Sequence, residues 1–287
     1  MRKLRCCRII AGGKLELMRI RKYGNSVHPV VVLHGGPGAS GDVAPMAQGL
    51  SDVFTAIEPW QRGSGEETLT VARHVEDLHS LIVGLDCASP PALVGHSWGA
   101  MLALCYAAAH PNKAGPIVLV GCGTFDPASR ARMKEILKER TDLHLQERLA
   151  EVAASTSDAA DLHMKRFRLT RDLSVYDRAK PWPEKEEYEP LDVRAHKETW
   201  DDIMRLQSDG TYPKAFTGIT SDVLMLHGNY DPHPGLMIYE SLRPFIRRLE
   251  YRELDRCGHS PWLERFAGTE FFSILRAWLL ARNNGLS

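Results

Sequence analysis

The segment Leu93-Val94-Gly95-His96-Ser97-Trp98-Gly99-Ala100 decides how this chain folds. It carries the pattern G-x-S-x-G between a short apolar run and an apolar stretch of helical length. A serine on a sharp turn between a strand and a helix is lifted above the end of the sheet, where the helix dipole favours developing negative charge. The two glycines leave room for that turn. The pattern therefore predicts Ser97 as a nucleophile rather than as a helix cap.

The sequence around this turn predicts an α/β fold with a mostly parallel, doubly wound sheet. Unbroken apolar runs are typical of strands that are buried on both faces of a parallel sheet. Such runs occupy residues 30–33, 92–94, 117–120 and 223–226, with a weaker one at 54–57. Helical segments are expected between them, at residues 70–84, 98–110 and 235–243. Residues 4–10 and 15–20 predict an antiparallel hairpin at the sheet edge.

Residues 124–216 differ in composition from the rest of the chain. They make up about a third of the sequence, hold half of its charged residues and contain no unbroken apolar run. Asp126 and Pro127 predict the start of a helix there, since aspartate caps the first turn and proline suits its first position. We therefore expect a helical cap at residues 124–216, inserted into a core of residues 1–123 and 217–287. Most of the cap's charges are expected on a solvated face.

Charge and hydropathy exclude several classes of protein. The formal net charge is zero, whereas proteins that bind nucleic acids usually carry an excess of basic residues. Hydrophobic residues make up 44% of the chain, too many for a disordered protein. No apolar run approaches the roughly 20 residues that span a bilayer. The six cysteines lack the spacing of a disulfide framework or zinc site, and the basic N-terminus lacks a signal-peptide core, so a cytoplasmic protein is expected.

Two further residues complete a candidate catalytic triad. A serine hydroxyl is a weak nucleophile until a base takes its proton. Asp231 and His259 each follow a predicted strand, which places them at the same end of the sheet as Ser97, whereas Asp222 precedes its strand. His233 is the alternative base, but two residues from Asp231 it could hardly bond to the acid and also reach Ser97. It is expected near the entrance of the site instead.

A glycine-rich loop supplies the second part of the expected site. His34-Gly35-Gly36-Pro37-Gly38 follows the first central apolar run, and such a turn brings backbone N–H groups close to a ligand. We expect the N–H groups of Gly36 and Trp98 to hold a carbonyl oxygen as it becomes an oxyanion. His34 is expected to buttress this loop.

These motifs resemble the α/β-hydrolase fold over essentially the whole chain. Within it, the glycine-rich loop and Gln61-Arg62-Gly63-Ser64-Gly65 are similar to those of proline iminopeptidases, which pair HGGPG and DQRGSG loops with a GGSWG turn. That branch removes N-terminal proline from peptides and uses glutamates of its cap to hold the free amine. By composition, the candidates for that role are Glu184, Glu186, Glu187 and Glu189.

Two positions depart from the iminopeptidase pattern. Trp60 stands in place of the aspartate of DQRGSG, and His96 replaces the glycine before the serine. With Asp231-Pro232-His233-Pro234-Gly235, the motifs are similar to those of esterases of this branch, including enzymes that open macrolide lactones. The departures leave the triad intact and favour ester specificity over peptidase specificity.

The main hypothesis is a serine esterase that cleaves a small-molecule carboxylic ester, with a macrolide lactone as one candidate. An aminopeptidase for N-terminal proline and a ligand-binding protein without catalysis are the alternatives. No metal or organic cofactor is expected, because the triad supplies the acid–base chemistry. No nucleic-acid or membrane partner is expected, and the oligomeric state is left open. The candidate residues of the substrate pocket are His34, Trp60, His96, His233, Trp182 and Trp200.

Overall fold

A computed structural model describes residues 3–11, 14–38, 40–182 and 191–283 of the chain, which are built around one eight-stranded sheet. The strands are β1 (Lys3–Ala11), β2 (Lys14–Tyr23), β3 (Pro29–Leu33), β4 (Thr55–Pro59), β5 (Ala92–His96), β6 (Ile117–Val120), β7 (Val223–Gly228) and β8 (Leu249–Leu254). Their order across the sheet is β1-β2-β4-β3-β5-β6-β7-β8. Strands β3 to β8 run parallel, whereas β1 and β2 form an antiparallel hairpin whose second strand pairs with β4. The predicted mostly parallel sheet and its edge hairpin are confirmed.

Alternate residues of the central strands explain their apolar sequences. Val31 and Leu93 pair in register and face one side of the sheet, whereas their neighbours Val30 and Val94 face the other. All four side chains are buried. A strand with both faces covered needs apolar residues at every position. Its sequence is therefore an unbroken apolar run and does not alternate between apolar and polar residues.

The described ranges of the chain contain nine α-helices. They are α1 (Ala44–Leu50), α2 (Val71–Gly84), α3 (Trp98–Ala109), α4 (Pro127–Arg140), α5 (Leu143–Ser155), α6 (Ala159–Thr170), α7 (Val193–Ser208), α8 (Gly235–Leu242) and α9 (Gly268–Asn283). Helices α1 and α9 cover one face of the sheet, and α2, α3 and α8 cover the other, so the sheet is doubly wound as predicted. None of these helices has the length and apolar character needed to cross a lipid bilayer.

The helix that follows Ser97 is enclosed on nearly all sides. Ten of the twelve residues of α3 are buried, including Trp98 and Tyr106. A helix that is apolar around its whole circumference belongs inside a domain. The buried helix therefore gives Ser97 a rigid base.

Helices α4 to α7 lie between β6 and β7, within the expected cap. Helix α4 begins at Pro127, and the Asp126 carboxylate accepts a hydrogen bond from the backbone N–H of Ser129 at 2.8 Å, as the sequence predicts. Helices α5 and α6 contain no buried residue. On this basis we propose residues 124–216 as a cap on the core.

Carboxylates at the start of α7 and along it attach the cap to the core. Asp192 accepts hydrogen bonds from the backbone N–H and the hydroxyl of Ser64, each at 2.8 Å. Two more carboxylates accept backbone N–H groups that lead into α2, in the pairs Glu198–Leu69 at 2.8 Å and Asp202–Val71 at 2.9 Å. The first N–H groups of a helix have no partner within it, and Asp202 supplies one to Val71, the first residue of α2. The expectation of a solvated face does not hold for these three charges.

Candidate active site

Ser97 lies on a strained turn at the carboxyl end of β5. Its backbone has φ 54° and ψ −115°, a region that residues with a side chain rarely adopt. A Cβ on Gly95 would lie 2.2 Å from the carbonyl oxygen of Gly99, and one on Gly99 would lie 2.3 Å from that of Leu33. No side chain fits at these two positions, which explains the glycines of the pattern. A bond from the N–H of Ser97 to the carbonyl of Val120, at 2.9 Å, holds the turn.

The structure brings Asp231 and His259 together at the same end of the sheet. Asp231 follows β7 and His259 follows β8. The fully buried carboxylate of Asp231 accepts a hydrogen bond from Nδ1 of His259 at 2.8 Å. The bond places the proton on Nδ1 and leaves Nε2 as the nitrogen that can accept one. The backbone N–H of His259 donates to the carbonyl of Ser174 at 2.8 Å, so a cap residue also holds the histidine loop.

His96 joins the turn that carries Ser97 to the loop that carries His259. It is buried, and its Nε2 donates to the carbonyl of His259 at 3.1 Å. Its ring centroid lies 4.7 Å from those of both His259 and Trp262. These contacts make His96 a support of the two loops, and its expected contact with substrate stays a prediction.

Two further histidines contact the carboxylate of Asp231. Nε2 of His227 lies 3.1 Å from Oδ2, and both Nδ1 and the backbone N–H of His233 bond to Oδ1, at 3.0 and 2.9 Å. Burial raises the pKa of Asp231, but the three histidines outweigh it and hold the pKa well below its ordinary value. The sequence pattern does not single out His227, although a histidine that closes an apolar strand run is a usable signal.

Asp231, His233 and His259 are poorly suited to hold a metal ion. Their ligand atoms lie within 4.8 Å of one another. The rings of His233 and His259 are stacked, with centroids 4.6 Å apart and planes inclined by 17°. A metal lies in the plane of each imidazole that binds it, and two nearly parallel rings cannot direct their lone pairs at one ion. We therefore assign hydrogen-bonding roles to both histidines.

The glycine-rich loop passes directly beside Ser97. A Cβ on Gly35 would lie 3.3 Å from Cβ of Ser97. His34 is fully buried; its Nδ1 donates to the carbonyl of Gly35 at 2.9 Å, and its Nε2 accepts the backbone N–H of Gln61 at 3.0 Å. Burial lowers the pKa of His34, which keeps the imidazole neutral as these two bonds require. His34 is thus enclosed by protein and holds the loop.

Two backbone N–H groups beside Ser97 are the candidate oxyanion donors. Trp98 is the first residue of α3, and the N–H groups of a helix's first turn have no partner within the helix. Gly36 follows Gly35 on the loop that contacts Ser97. The two donors therefore come from separate segments that meet at the nucleophile.

Trp60 packs against the edge hairpin. Its side chain is 8% exposed, and the guanidinium groups of Arg19 and Arg21 lie 4.2 and 4.7 Å from its ring centroid. Both arginines belong to β2. Cation–π packing accounts for the position of this tryptophan, and its expected contact with substrate stays a prediction.

The aromatic residues of the cap also have packing partners. The indole N–H of Trp182 donates to Asp172 at 2.7 Å, and the guanidinium of Arg178 lies 3.3 Å from the centroid of its ring. Trp200 lies parallel to His196, which contacts the carbonyl of Pro37 at 3.1 Å and so joins α7 to the glycine-rich loop. The four cap glutamates named from composition, Glu184, Glu186, Glu187 and Glu189, lie outside the described residues.

His74 and Asp77 of α2 each have a partner within the protein. His74 is buried and its Nε2 lies 2.9 Å from the hydroxyl of Thr199. Asp77 accepts two hydrogen bonds from Arg62, each at 2.7 Å. The two side chains thus have separate partners.

Glu264 is a buried acid that the sequence analysis does not identify. Its carboxylate accepts the backbone N–H groups of Gly258 at 2.8 Å, Tyr176 at 2.9 Å and Asp177 at 2.8 Å. It therefore ties the loop that carries His259 to a segment of the cap. An acid among apolar residues, in Pro261-Trp262-Leu263-Glu264, is the signal that points to such a role.

Comparison with known families agrees with this geometry. A family model described as Alpha/beta hydrolase family matches residues 30–270. The chain belongs to the alpha/beta hydrolase family. The matched region includes Ser97, Asp231 and His259.

Individual relatives of this hydrolase align over part of their length. It is 28% identical over 122 residues to cis-3-alkyl-4-alkyloxetan-2-one decarboxylase of Shewanella oneidensis. The aligned region covers 37% of this chain and 38% of that protein. It is 39% identical over 104 residues to the proline iminopeptidase of Arabidopsis thaliana. The aligned region covers 33% of this chain and 26% of that protein. The chain thus spans well under half of the length of these two relatives.

Solved structures match the hydrolase over nearly its full length, as one example shows. The proline iminopeptidase of Mycobacterium smegmatis is similar with a TM-score of 0.67 at 17% identity, covering 99% of this chain and all of that one. At this identity, the similarity shows a shared fold.

Proposed function

We propose that this protein is a serine hydrolase that cleaves the carboxylic ester bond of a small molecule. The proposal is carried by the 2.8 Å hydrogen bond between Nδ1 of His259 and the buried carboxylate of Asp231. This bond lies at the carboxyl ends of the parallel strands, where Ser97 precedes α3. Membership of a hydrolase family supports hydrolysis in general. Ester specificity is the further step that we propose.

The first half of the reaction forms an acyl-enzyme. Nε2 of His259 takes the proton of the Ser97 hydroxyl as its oxygen attacks the ester carbon. The N–H groups of Gly36 and Trp98 hold the oxygen as the C=O bond opens. Asp231 keeps the proton of the neutral ring on Nδ1 and stabilises the imidazolium. His259 then gives the proton to the leaving alkoxide, which departs as the alcohol.

Water reverses these roles in the second half. His259 takes a proton from water, the hydroxide attacks the acyl carbon, and Ser97 recovers its proton as the acid leaves. These groups move every proton, so the proposal requires no metal or organic cofactor. A lactone is an internal ester, so the same steps open a macrolide ring. We propose a cytoplasmic location, because the cysteines whose side chains are described, Cys87, Cys105, Cys122 and Cys257, are free thiols.

The second candidate is an aminopeptidase for N-terminal proline. It is favoured by the 39% identity to the iminopeptidase of Arabidopsis thaliana. Such an enzyme uses the same triad but also needs an anionic pocket, since a buried ammonium without a partner is costly. The two candidates therefore differ in how they treat a free amine.

We expect rapid hydrolysis of p-nitrophenyl acetate and cleavage of proline p-nitroanilide that is slower by about 100-fold or more, because an anilide is less reactive than this ester and the ammonium has no partner. Both substrates release coloured products, so initial rates compare them directly. N-Acetylproline p-nitroanilide is the control, because it lacks the charged amine. Fast cleavage of free proline anilide with no cleavage of the acetylated compound would establish the aminopeptidase instead.

The pH profile of ester hydrolysis is expected to have its acid limb near pH 4. Burial lowers the pKa of His259 to about 4, although Asp231 acts in the opposite direction. The base works only when neutral, so kcat/KM is constant at neutral pH and falls as the pH drops through about 4. Initial rates of p-nitrophenyl acetate hydrolysis, followed at the isosbestic wavelength from pH 3.5 to 8, test this. An acid limb at the ordinary histidine value of 6.5 would contradict it.

A further inference from the structure

Gln61 lies between the two halves of the proposed oxyanion hole. It follows β4, whereas the proposed donors come from the loop after β3 and from the start of α3. The inference about this residue rests on the proposed function, because an oxyanion forms only if Ser97 attacks a carbonyl group.

The side-chain amide of Gln61 bridges these two segments. Its Nε2 donates to the carbonyl oxygen of His34 at 3.0 Å, and its Oε1 accepts the indole N–H of Trp98 at 2.7 Å. The partners fix the orientation of the amide, since a carbonyl only accepts and an indole N–H only donates. The backbone N–H of Gln61 makes a third bond, to Nε2 of His34 at 3.0 Å.

The surroundings of this bridge are rigid. His34 is 0% exposed and Trp98 is 1% exposed, so both partners of the half-buried amide are enclosed by protein. The next residue, Arg62, is held independently by its two hydrogen bonds to Asp77 on α2. The backbone at Gln61 is therefore held in place, which a residue that supports a preorganised site requires.

We propose that Gln61 is a positioning residue that sets the separation between the backbone N–H groups of Gly36 and Trp98. One end of its amide holds the carbonyl of His34, two residues before Gly36. The other end holds the side chain of Trp98, whose own N–H is the second donor. An oxyanion hole stabilises the transition state only when its donors lie about 2.7–3.1 Å from the oxygen, so the spacing of loop and helix affects the rate.

The test replaces Gln61 with methionine, which has a similar length but loses both hydrogen bonds of the amide. Active sites are counted by end-point titration with a fluorophosphonate. Per site, we expect kcat for p-nitrophenyl acetate to fall about 10- to 100-fold with KM little changed, less than the ~10²–10³ for removal of a whole donor. A trifluoromethyl ketone provides the second readout.

The ketone reports on the oxyanion hole directly. The oxygen of Ser97 adds to the ketone carbon, its proton passes to His259, and the electron pair of the C=O bond moves onto the oxygen, which becomes an oxyanion. We expect the inhibition constant of Gln61→Met to rise by about the factor by which its kcat falls. A merely structural defect lowers the titrated fraction of active enzyme and leaves both values per site unchanged.

Gln207→Met is the matched control. The amide of Gln207, on α7, also links a backbone carbonyl, that of Thr124 at 3.1 Å, to a side-chain donor, that of Arg130. Gln207→Met therefore loses the same two kinds of hydrogen bond as Gln61→Met, but at the junction of cap and core. We expect kcat and the inhibition constant per site to stay within about twofold of wild type, since the oxyanion loop is not involved.

Wild-type values per site in Gln61→Met would overturn the proposal. If that variant does not fold, Gln61→Glu decides by the same two measurements, because it keeps the acceptor for Trp98 but sets a carboxylate oxygen against the carbonyl of His34. Reduced kcat and weaker inhibition support the proposal there, and unchanged values overturn it. Failure of the proposed function is recognised separately, since the wild-type protein then shows no ester hydrolysis that depends on Ser97.

Discussion

Replacing Ser97 with alanine is expected to lower kcat for p-nitrophenyl acetate about 10⁶-fold, the loss typical of removing a triad nucleophile. Without the hydroxyl no acyl-enzyme forms, and only the oxyanion hole and substrate binding remain to assist attack by water. The fold is expected to survive, because the Ser97 side chain makes no capping bond to α3 and alanine accepts the same backbone geometry. Steady-state rates and the thermal unfolding midpoint of the purified variant measure the two effects.

The control for this change is Ser241→Ala. The Ser241 hydroxyl donates to the carbonyl of Ile238 on α8 at 2.8 Å. This variant should keep wild-type activity and should still be labelled by a fluorophosphonate, whereas Ser97→Ala should lose the label. Ester hydrolysis above about 1% of wild type in pure Ser97→Ala would mean that another group attacks the ester.

The elements of the sheet are predictable because their burial leaves a local pattern. The run at residues 117–120 coincides with β6, and the other central runs extend by one or two residues, as β5 does to His96. In β5 and β7 the two added residues are a glycine and a histidine at the carboxyl end, where the chain turns toward the site. The start of α4 at Pro127 is likewise local, since the capping acid lies next to it.

The supports of the site are not predictable, since they join residues that are distant in the chain. Gln61 and Trp98 are 37 positions apart, and Glu264 bonds to Asp177 across 87. Each side chain has several possible partners until the fold is known, so a single sequence cannot choose among them. The acids of α7 show the same limit, because the N–H groups that Glu198 and Asp202 satisfy belong to another element.

The shared location of the three proposed triad members was predictable for a different reason. Ser97, Asp231 and His259 each follow a strand of one parallel sheet, and the carboxyl ends of parallel strands lie along one edge. What the pattern could not give is the number of histidines at the acid. The carboxylate of Asp231 contacts ring nitrogens of His227, His233 and His259, so three imidazoles rather than one stabilise its charge.

These three donors make Asp231→Asn the other change with a large expected effect. The neutral amide no longer holds His259 with its proton on Nδ1, so we expect kcat to fall about 10⁴-fold, as for an asparagine in other triads. Because the new amide N–H₂ group must face at least one imidazole donor, the free energy of unfolding should also fall by about 1–3 kcal/mol. Asp222→Asn is the matched control, since Asp222 precedes β7 at the opposite end of the same strand and pairs with Arg248 and Arg282. Initial rates at pH 7 and urea unfolding of both variants measure the two effects. If Asp231→Asn kept more than about a tenth of the wild-type kcat, another residue would have to orient His259.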